Sequence, residues 1–109
     1  MATIRHGKLV RDLIPDIITA AGKTCVTRTL DDASYLAALD AKLTEELAEY
    51  QADKSLEELA DLLEVMMAAA AARGHDFSEV EAIRREKAAK RGGFAKRIWL
   101  ETVTTAPKE

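Results

Sequence analysis

The stretch TEELAEYQADKSLEELADLLEV (residues 44–65) decides how this chain folds, because it holds the end of one helix, a short break and the start of another. The break, Asp53-Lys54-Ser55, is a tight connection, so the two helices are predicted to fold back antiparallel. Each helix carries an acidic pair at a spacing of three, Glu46-x-x-Glu49 and Glu58-x-x-Asp61. Residues three apart share a helix face. The hairpin is therefore predicted to bring the four carboxylates opposite each other.

Working outward, hydrophobic periodicity predicts a mainly α protein of about four helices in an antiparallel bundle. Proline, glycine and capping residues predict a short helix between Pro15 and Gly22, then helices at about 32–53, 56–73 and 78–90. Alternating β-branched and apolar residues in 23–30 and 95–103 predict a minor two-stranded β element. Residues 104–109 are predicted to form a disordered tail.

Length and composition predict a single domain over residues 1–109. The chain is 48% hydrophobic and only 5% aromatic, with one cysteine, which is typical of a helical protein in a reducing compartment. No apolar signal core is present at the N-terminus, and the longest apolar run, 65–72, is too short for a membrane span. We therefore expect a cytoplasmic protein without a membrane partner. So small a core also predicts a homodimer or a larger homo-oligomer.

The charges are divided unevenly along the chain. Residues 31–64 contain eleven acidic residues and two lysines, a balance of −9, whereas the rest contains eight acidic and fourteen basic residues, a balance of +6. An acidic centre between basic ends suits a site for a cation and a polyphosphate, and it also suits plain internal pairing. A nucleic-acid partner is not expected, because the acidic segment would repel a phosphate backbone.

The acidic pairs have two interpretations on the residues alone. Four ionised carboxylates in a partly desolvated cleft repel one another, so a cation is needed, and Mg²⁺ with its preference for hard oxygen ligands is the natural one, with Mn²⁺ as a substitute. Alternatively, these are solvated helix faces, and Glu58 belongs to a capping box with Ser55. Glu45 points away from the core seam and is predicted to be a solvent residue.

A basic group near the C-terminus is the complementary feature. Lys87, Lys90, Arg91, Lys96 and Arg97 surround Gly92-Gly93. Glycines let backbone amides approach a phosphate closely while the basic side chains neutralise its charge. The same pattern is typical of a helix C-terminus whose bases match the helix dipole before a glycine stop.

Four motifs in order carry a family resemblance: KLVRDLIP (8–15), KLTEELAEY (42–50), LEELADLLEV (56–65) and KRGGFAKRIWL (90–100). Together they resemble MazG-related all-α nucleoside triphosphate pyrophosphohydrolases, in the small single-domain, phosphoribosyl-ATP pyrophosphohydrolase-like branch. One departure is that eight residues separate Glu49 from Glu58, fewer than in many relatives.

The resemblance implies Mg²⁺-dependent cleavage of a nucleotide substrate between its α- and β-phosphates, releasing a monophosphate and pyrophosphate, with house-cleaning of non-standard nucleotides as one role. It implies Glu46, Glu49, Glu58 and Asp61 as metal ligands. A carboxylate that is not fully used in coordination could take the proton of a metal-bound water, and Glu49 is the candidate for this role. The candidate phosphate-binding residues are Lys8, Arg11, Lys87, Arg91, Lys96 and Arg97. Two alternatives stay open: a phosphoribosyl-ATP pyrophosphohydrolase of histidine biosynthesis, and a non-catalytic helical interaction module.

Overall fold

The protein is mainly helical, as the periodicity predicts. A computed structural model describes residues 2–107, and within them four helices form. They are α1 (Ile14–Ala20), α2 (Asp32–Asp53), α3 (Leu56–Ala72) and α4 (Phe77–Arg91). No helix in this part of the chain combines the length and the apolar character that a membrane crossing requires.

The helix ends follow local chemistry. Pro15 occupies the first turn of α1, where its missing N–H costs no hydrogen bond. Asp31 caps α2, since its Oδ1 accepts a hydrogen bond from the Ser34 N–H at 2.8 Å. Beyond α3, Gly74 adopts φ +85°, a left-handed conformation that glycine takes at little cost, and the chain leaves the helix there.

The connection between α2 and α3 is only two residues long. Lys54 adopts φ 61° and its N–H donates to the Tyr50 carbonyl at 2.7 Å, which closes α2. Ser55 Oγ then accepts from the Glu58 N–H at 3.2 Å and starts α3. The helices pack along each other, with Leu39 and Val65 as the buried hydrophobic residues of the described chain. The predicted hairpin is therefore present.

The predicted two-stranded β element is not met within the described chain, because residues 2–107 contain no strand. Val26 and Trp99, one from each predicted strand, are exposed at 102% and 85%. A left-handed Arg97, whose N–H donates to the Phe94 carbonyl at 3.0 Å, interrupts the alternation with a turn. An isolated two-stranded ribbon is also marginally stable in water without a covering layer.

The chain divides into two compact units, one ending at Phe77 and the other beginning at Ser78. The first contains α1, α2 and α3. In the second, Arg84 and Arg85 bind Glu81 and lower the pKa of its carboxyl from 4.5 to about 2, chiefly through the Arg84 hydrogen bonds. The single domain over residues 1–109 stays a prediction. Of the predicted tail, 104–107 are irregular and exposed, and 108–109 lie outside the described residues.

Candidate functional site

The α2–α3 hairpin brings three acidic side chains into one group, which we call the acidic cluster: Glu46, Glu58 and Asp61. One carboxylate oxygen from each residue lies within 4.8 Å of the other two, and all three residues are half-buried. Glu46 lies on α2, and the other two lie on consecutive turns of α3. Within residues 2–107 no other acidic, histidine or cysteine side chains form such a group.

Glu49, the fourth predicted ligand, lies outside this group. It is exposed on α2, one turn nearer the hairpin connection than Glu46. Its charge nevertheless acts on Glu58, whose pKa it helps to raise. The structure thus brings three of the four predicted ligands together and leaves Glu49 beside them.

Glu58 is the member of the cluster with the least favourable electrostatic environment. Its partial burial raises the pKa of its carboxyl, and the negative charges of Glu49, Asp61, Asp53 and Glu46 raise it further. No basic side chain lies within ion-pair distance of Glu58 in the described part of the chain. Negative charge therefore accumulates at Glu58 without a local partner.

The other two members of the cluster have basic partners. Arg11, from the segment before α1, donates from a guanidinium nitrogen to Asp61 Oδ1 at 2.8 Å. Lys42 Nζ lies 3.3 Å from Glu46 Oε1, one turn along α2. The Lys42–Glu46 pair is the more buried of the two, with side chains only 14% and 12% exposed. Arg11 and Asp61 remain about half exposed.

Glu45 is not the solvent residue that its helical position predicts. Its carboxylate is half-buried, 3.1 Å from Lys42 Nζ and 3.5 Å from Lys8 Nζ. Burial is the largest single influence on the pKa of the Glu45 carboxyl, and it raises that pKa. The hydrogen bonds and positive charges of Lys42 and Lys8 together outweigh burial, so the pKa of Glu45 is lowered. The contact between Glu45 and Lys8 comes from the N-terminal segment, so a helical wheel of α2 alone does not predict it.

The six candidate phosphate-binding residues fall into two sets. Lys8 and Arg11 contact acidic residues of the hairpin, as described above. The other four belong to the second unit, where two shallow surface depressions of about 270 and 220 Å³ lie. Lys87 and Arg91 line the larger, and Arg91, Lys96 and Arg97 line the smaller beside Gly93. None of these four forms an ion pair within the described residues, so their charges are available to an anion.

Lys42 contacts the acidic cluster but is not among the site residues that the sequence predicts. The signal for it was present, because basic and acidic residues at i and i+4 meet on a helix surface, and Lys42 and Glu46 have that spacing. Its side chain is only 14% exposed, and this burial depends on the packing of α2 against its neighbours, which periodicity does not specify.

The donor set fits a small divalent cation. Mg²⁺ binds carboxylate oxygens at about 2.1 Å in an octahedral shell, so its ligand oxygens lie about 3 to 4 Å apart. Oxygens within 4.8 Å of one another need only small side-chain rotations to reach that spacing. A cation there would also supply the positive charge that Glu58 lacks.

Comparison with known proteins adds one partial relative. Over 45 residues the chain is 62% identical to an uncharacterized protein of Mycolicibacterium smegmatis, an alignment that covers 41% of this chain and 46% of that protein. The chain thus spans less than half the length of this curated relative. No protein-family model matches the chain, and no solved structure matches it.

Proposed function

We propose that the protein is a Mg²⁺-dependent nucleotide pyrophosphohydrolase that cleaves a nucleoside triphosphate between its α- and β-phosphates. The observation that carries the proposal is the acidic cluster, in which Glu46, Glu58 and Asp61 converge from two helices. Arg11 and Lys42 offset the charges of Asp61 and Glu46. Glu58 has no positive partner within the described residues, so its repulsion by the other two carboxylates remains unfavourable. The reaction class comes from the resemblance of four sequence motifs to those of MazG-related enzymes.

Each residue of the site has a role in this proposal. Glu46, Glu58 and Asp61 hold Mg²⁺, with Mn²⁺ as a substitute. The bound metal would polarise phosphate oxygens and make a water more acidic. Glu49, exposed beside the cluster, is the predicted base and would take up the proton of that water. A rotation of its side chain would also let it join the cluster as the fourth predicted ligand.

The candidate phosphate-binding residues would neutralise phosphate oxygens, but not all six can reach one ligand. Lys8 and Arg11 already lie at the hairpin, on Glu45 and Asp61. Lys87, Arg91, Lys96 and Arg97 form the second set, in the second unit, where nothing lies within 4 Å of a Cβ built on Gly93 and the Gly92 N–H donates to the Ala88 carbonyl at 2.8 Å. Positive groups fixed around the transferred phosphate stabilise the charge that develops there.

The proposal includes a homo-oligomer, at least a dimer, that completes the antiparallel bundle. Its support is a stripe of apolar residues on α3, opposite the face that carries Glu58 and Asp61. The stripe residues are exposed between 42% and 83%: Leu56, Leu59, Leu63, Met66 and Met67. A second copy would cover this stripe.

Pyrophosphate release tests the proposal directly. Nucleoside triphosphates, including non-standard ones, and phosphoribosyl-ATP are offered with and without Mg²⁺. We expect release only with the metal, and loss of about two orders of magnitude or more in Glu58→Gln and Asp61→Asn, because each removes a charged ligand. Glu57→Gln is the matched control, since Glu57 is an exposed neighbour on α3 outside the cluster.

The outcomes separate the alternatives. Turnover of phosphoribosyl-ATP well above that of every triphosphate would assign the enzyme to histidine biosynthesis. Pyrophosphate release that is equal with and without Mg²⁺, or unaffected by Glu58→Gln, would refute the metal assignment.

A helical interaction module is the second candidate function, and the Arg11–Asp61 and Lys42–Glu46 pairs favour it. In that interpretation the acidic residues serve only to pair with internal bases. It predicts no pyrophosphate release from any nucleotide and no rise in melting temperature on addition of Mg²⁺.

A further inference from the structure

Two basic side chains of the protein, Lys42 and Arg11, pair with the acidic cluster. The two ion pairs differ in how easily they can be broken. Lys42 lies on the same helix as Glu46, and both side chains are largely buried. Arg11 comes from an irregular segment before α1 and reaches across 50 residues of sequence to Asp61, with its side chain 55% exposed. Because Arg11 and Asp61 are about half exposed, water can replace their contact at little cost, and no helix has to move.

The N-terminal segment has a second attachment that does not involve the cluster. Lys8 pairs with Glu45, which lies outside the group of converging carboxylates. If Asp61 is taken by another cation, this contact still holds the segment against α2. Arg11 would therefore be released close to the site rather than lost to solvent.

We propose that Arg11 is an exchangeable counter-ion: it neutralises Asp61 while the cluster lacks a divalent cation, and it gives up Asp61 when one binds. This inference rests on the proposed function, because it requires the cluster to take a metal. Once released, the guanidinium is free to bind a phosphate oxygen at the hairpin. Arg11 thereby couples occupancy of the metal site to substrate binding.

The inference predicts opposite effects of one substitution on two ligands. Arg11→Met removes the competitor for Asp61, so Mg²⁺ alone should bind about two- to fivefold more tightly, the range that a solvent-exposed ion pair can supply. Inorganic pyrophosphate, titrated with the metal-loaded protein, should bind more weakly, because the released guanidinium is missing. If Arg11 had a merely structural role, Arg11→Met would weaken the binding of both Mg²⁺ and pyrophosphate.

Calorimetric titration of the full chain with Mg²⁺ measures the change in metal affinity. This change should vanish when Arg11→Met is made in an Asp61→Asn background. If Mg²⁺ binds too weakly to that background, Mn²⁺ replaces it in the titration. Arg5→Met is the control, since Arg5 is exposed in the same segment and makes no ion pair within the described residues. Arg11→Lys, which keeps the charge, should fall between wild type and Arg11→Met. Melting temperatures verify that each variant is folded.

The results distinguish the two proposals. Tighter Mg²⁺ binding in Arg11→Met and no change in Arg5→Met supports the exchange. Wild-type binding of Mg²⁺ with equal or weaker binding in Arg11→Met overturns the exchange and leaves the proposed function standing. Absence of Mg²⁺ binding in wild type and in Arg11→Met overturns both.

Discussion

At the scale of single residues, Glu58 shows how charge accumulates at this site. Its partial burial and four neighbouring carboxylates raise the pKa of its carboxyl above 4.5. A carboxyl whose pKa is higher in the folded state than in the unfolded state takes up protons on folding. Its contribution to stability is therefore lost as the pH rises through the folded pKa, and at neutral pH the ionised Glu58 destabilises the metal-free protein.

Glu58→Gln should accordingly raise the melting temperature of the metal-free protein at pH 7, because the amide cannot ionise. Well below pH 4.5 the difference should disappear, since Glu58 is then protonated in the folded and the unfolded state. The measurement is a series of thermal melts with a chelator present, across this pH range.

Glu57→Gln corrects for the loss of a favourable acid in the first turn of α3, where both residues lie. With Mg²⁺ added the order should reverse, because the wild type then gains a bound ligand and Glu58→Gln does not. A melting temperature for Glu58→Gln at or below that of Glu57→Gln at pH 7 would contradict the accumulation of charge at Glu58.

At the scale of elements, the α2–α3 hairpin brings the three residues of the acidic cluster together. Its connection is local: a left-handed Lys54 whose ammonium lies 5.7 Å from the Tyr50 ring centroid, followed by the Ser55 cap. The cap bonds the backbone N–H of Glu58, so it also fixes the first turn on which that member of the cluster stands. Local capping and assembly of the site are thus coupled.

Ser55→Ala should lower the free energy of unfolding by about 1 kcal/mol, the usual cost of losing a helix N-cap. Because the turn carrying Glu58 then frays, Mg²⁺ binding should also weaken. Chemical denaturation and calorimetry measure the two effects.

Thr44→Ala is the control for this change. Thr44 is exposed in the middle of α2, where alanine favours the helix, so its removal should not lower stability. Equal stability of Ser55→Ala and wild type would show that the cap contributes nothing to the hairpin.

At the scale of the whole molecule, the chain leaves most of its apolar residues exposed. It is 48% hydrophobic, yet Leu39 and Val65 are the only hydrophobic residues buried within 2–107. Surfaces of this kind, and above all the apolar stripe on α3, mark protein interaction sites.

Wild-type protein should therefore run as a dimer or larger oligomer in size-exclusion chromatography with light scattering. Leu59→Lys/Leu63→Lys should shift it to the monomer, because two charges then lie in the centre of the apolar stripe on α3. Both residues are exposed at more than 40%, so the monomer should keep its helices.

Ile4→Lys is the control, since Ile4 is exposed outside the stripe. A monomeric wild type, or a double variant that remains oligomeric, would exclude this stripe as the interface.

The sequence alone determined the helices and their connections. Pro15, Asp31, Ser55 and Gly74 act through interactions that span at most a few residues, so a local pattern identifies them. The spacing of three within each acidic pair likewise places both members on one face of a helix whatever the tertiary structure is. These local patterns were enough to predict the hairpin and the acidic residues at its interface.

Tertiary structure alone decided which residues meet. Glu49 lies outside the cluster while Glu46 lies inside it, because the rotation of α2 about its own axis is set by side-chain packing against α3. Arg11 pairs with Asp61 and Lys8 with Glu45 through contacts between distant segments, which periodicity cannot specify. Residues 23–30 and 95–103 have the pattern of strands, but a strand needs a neighbour, and within the described chain packing supplies none.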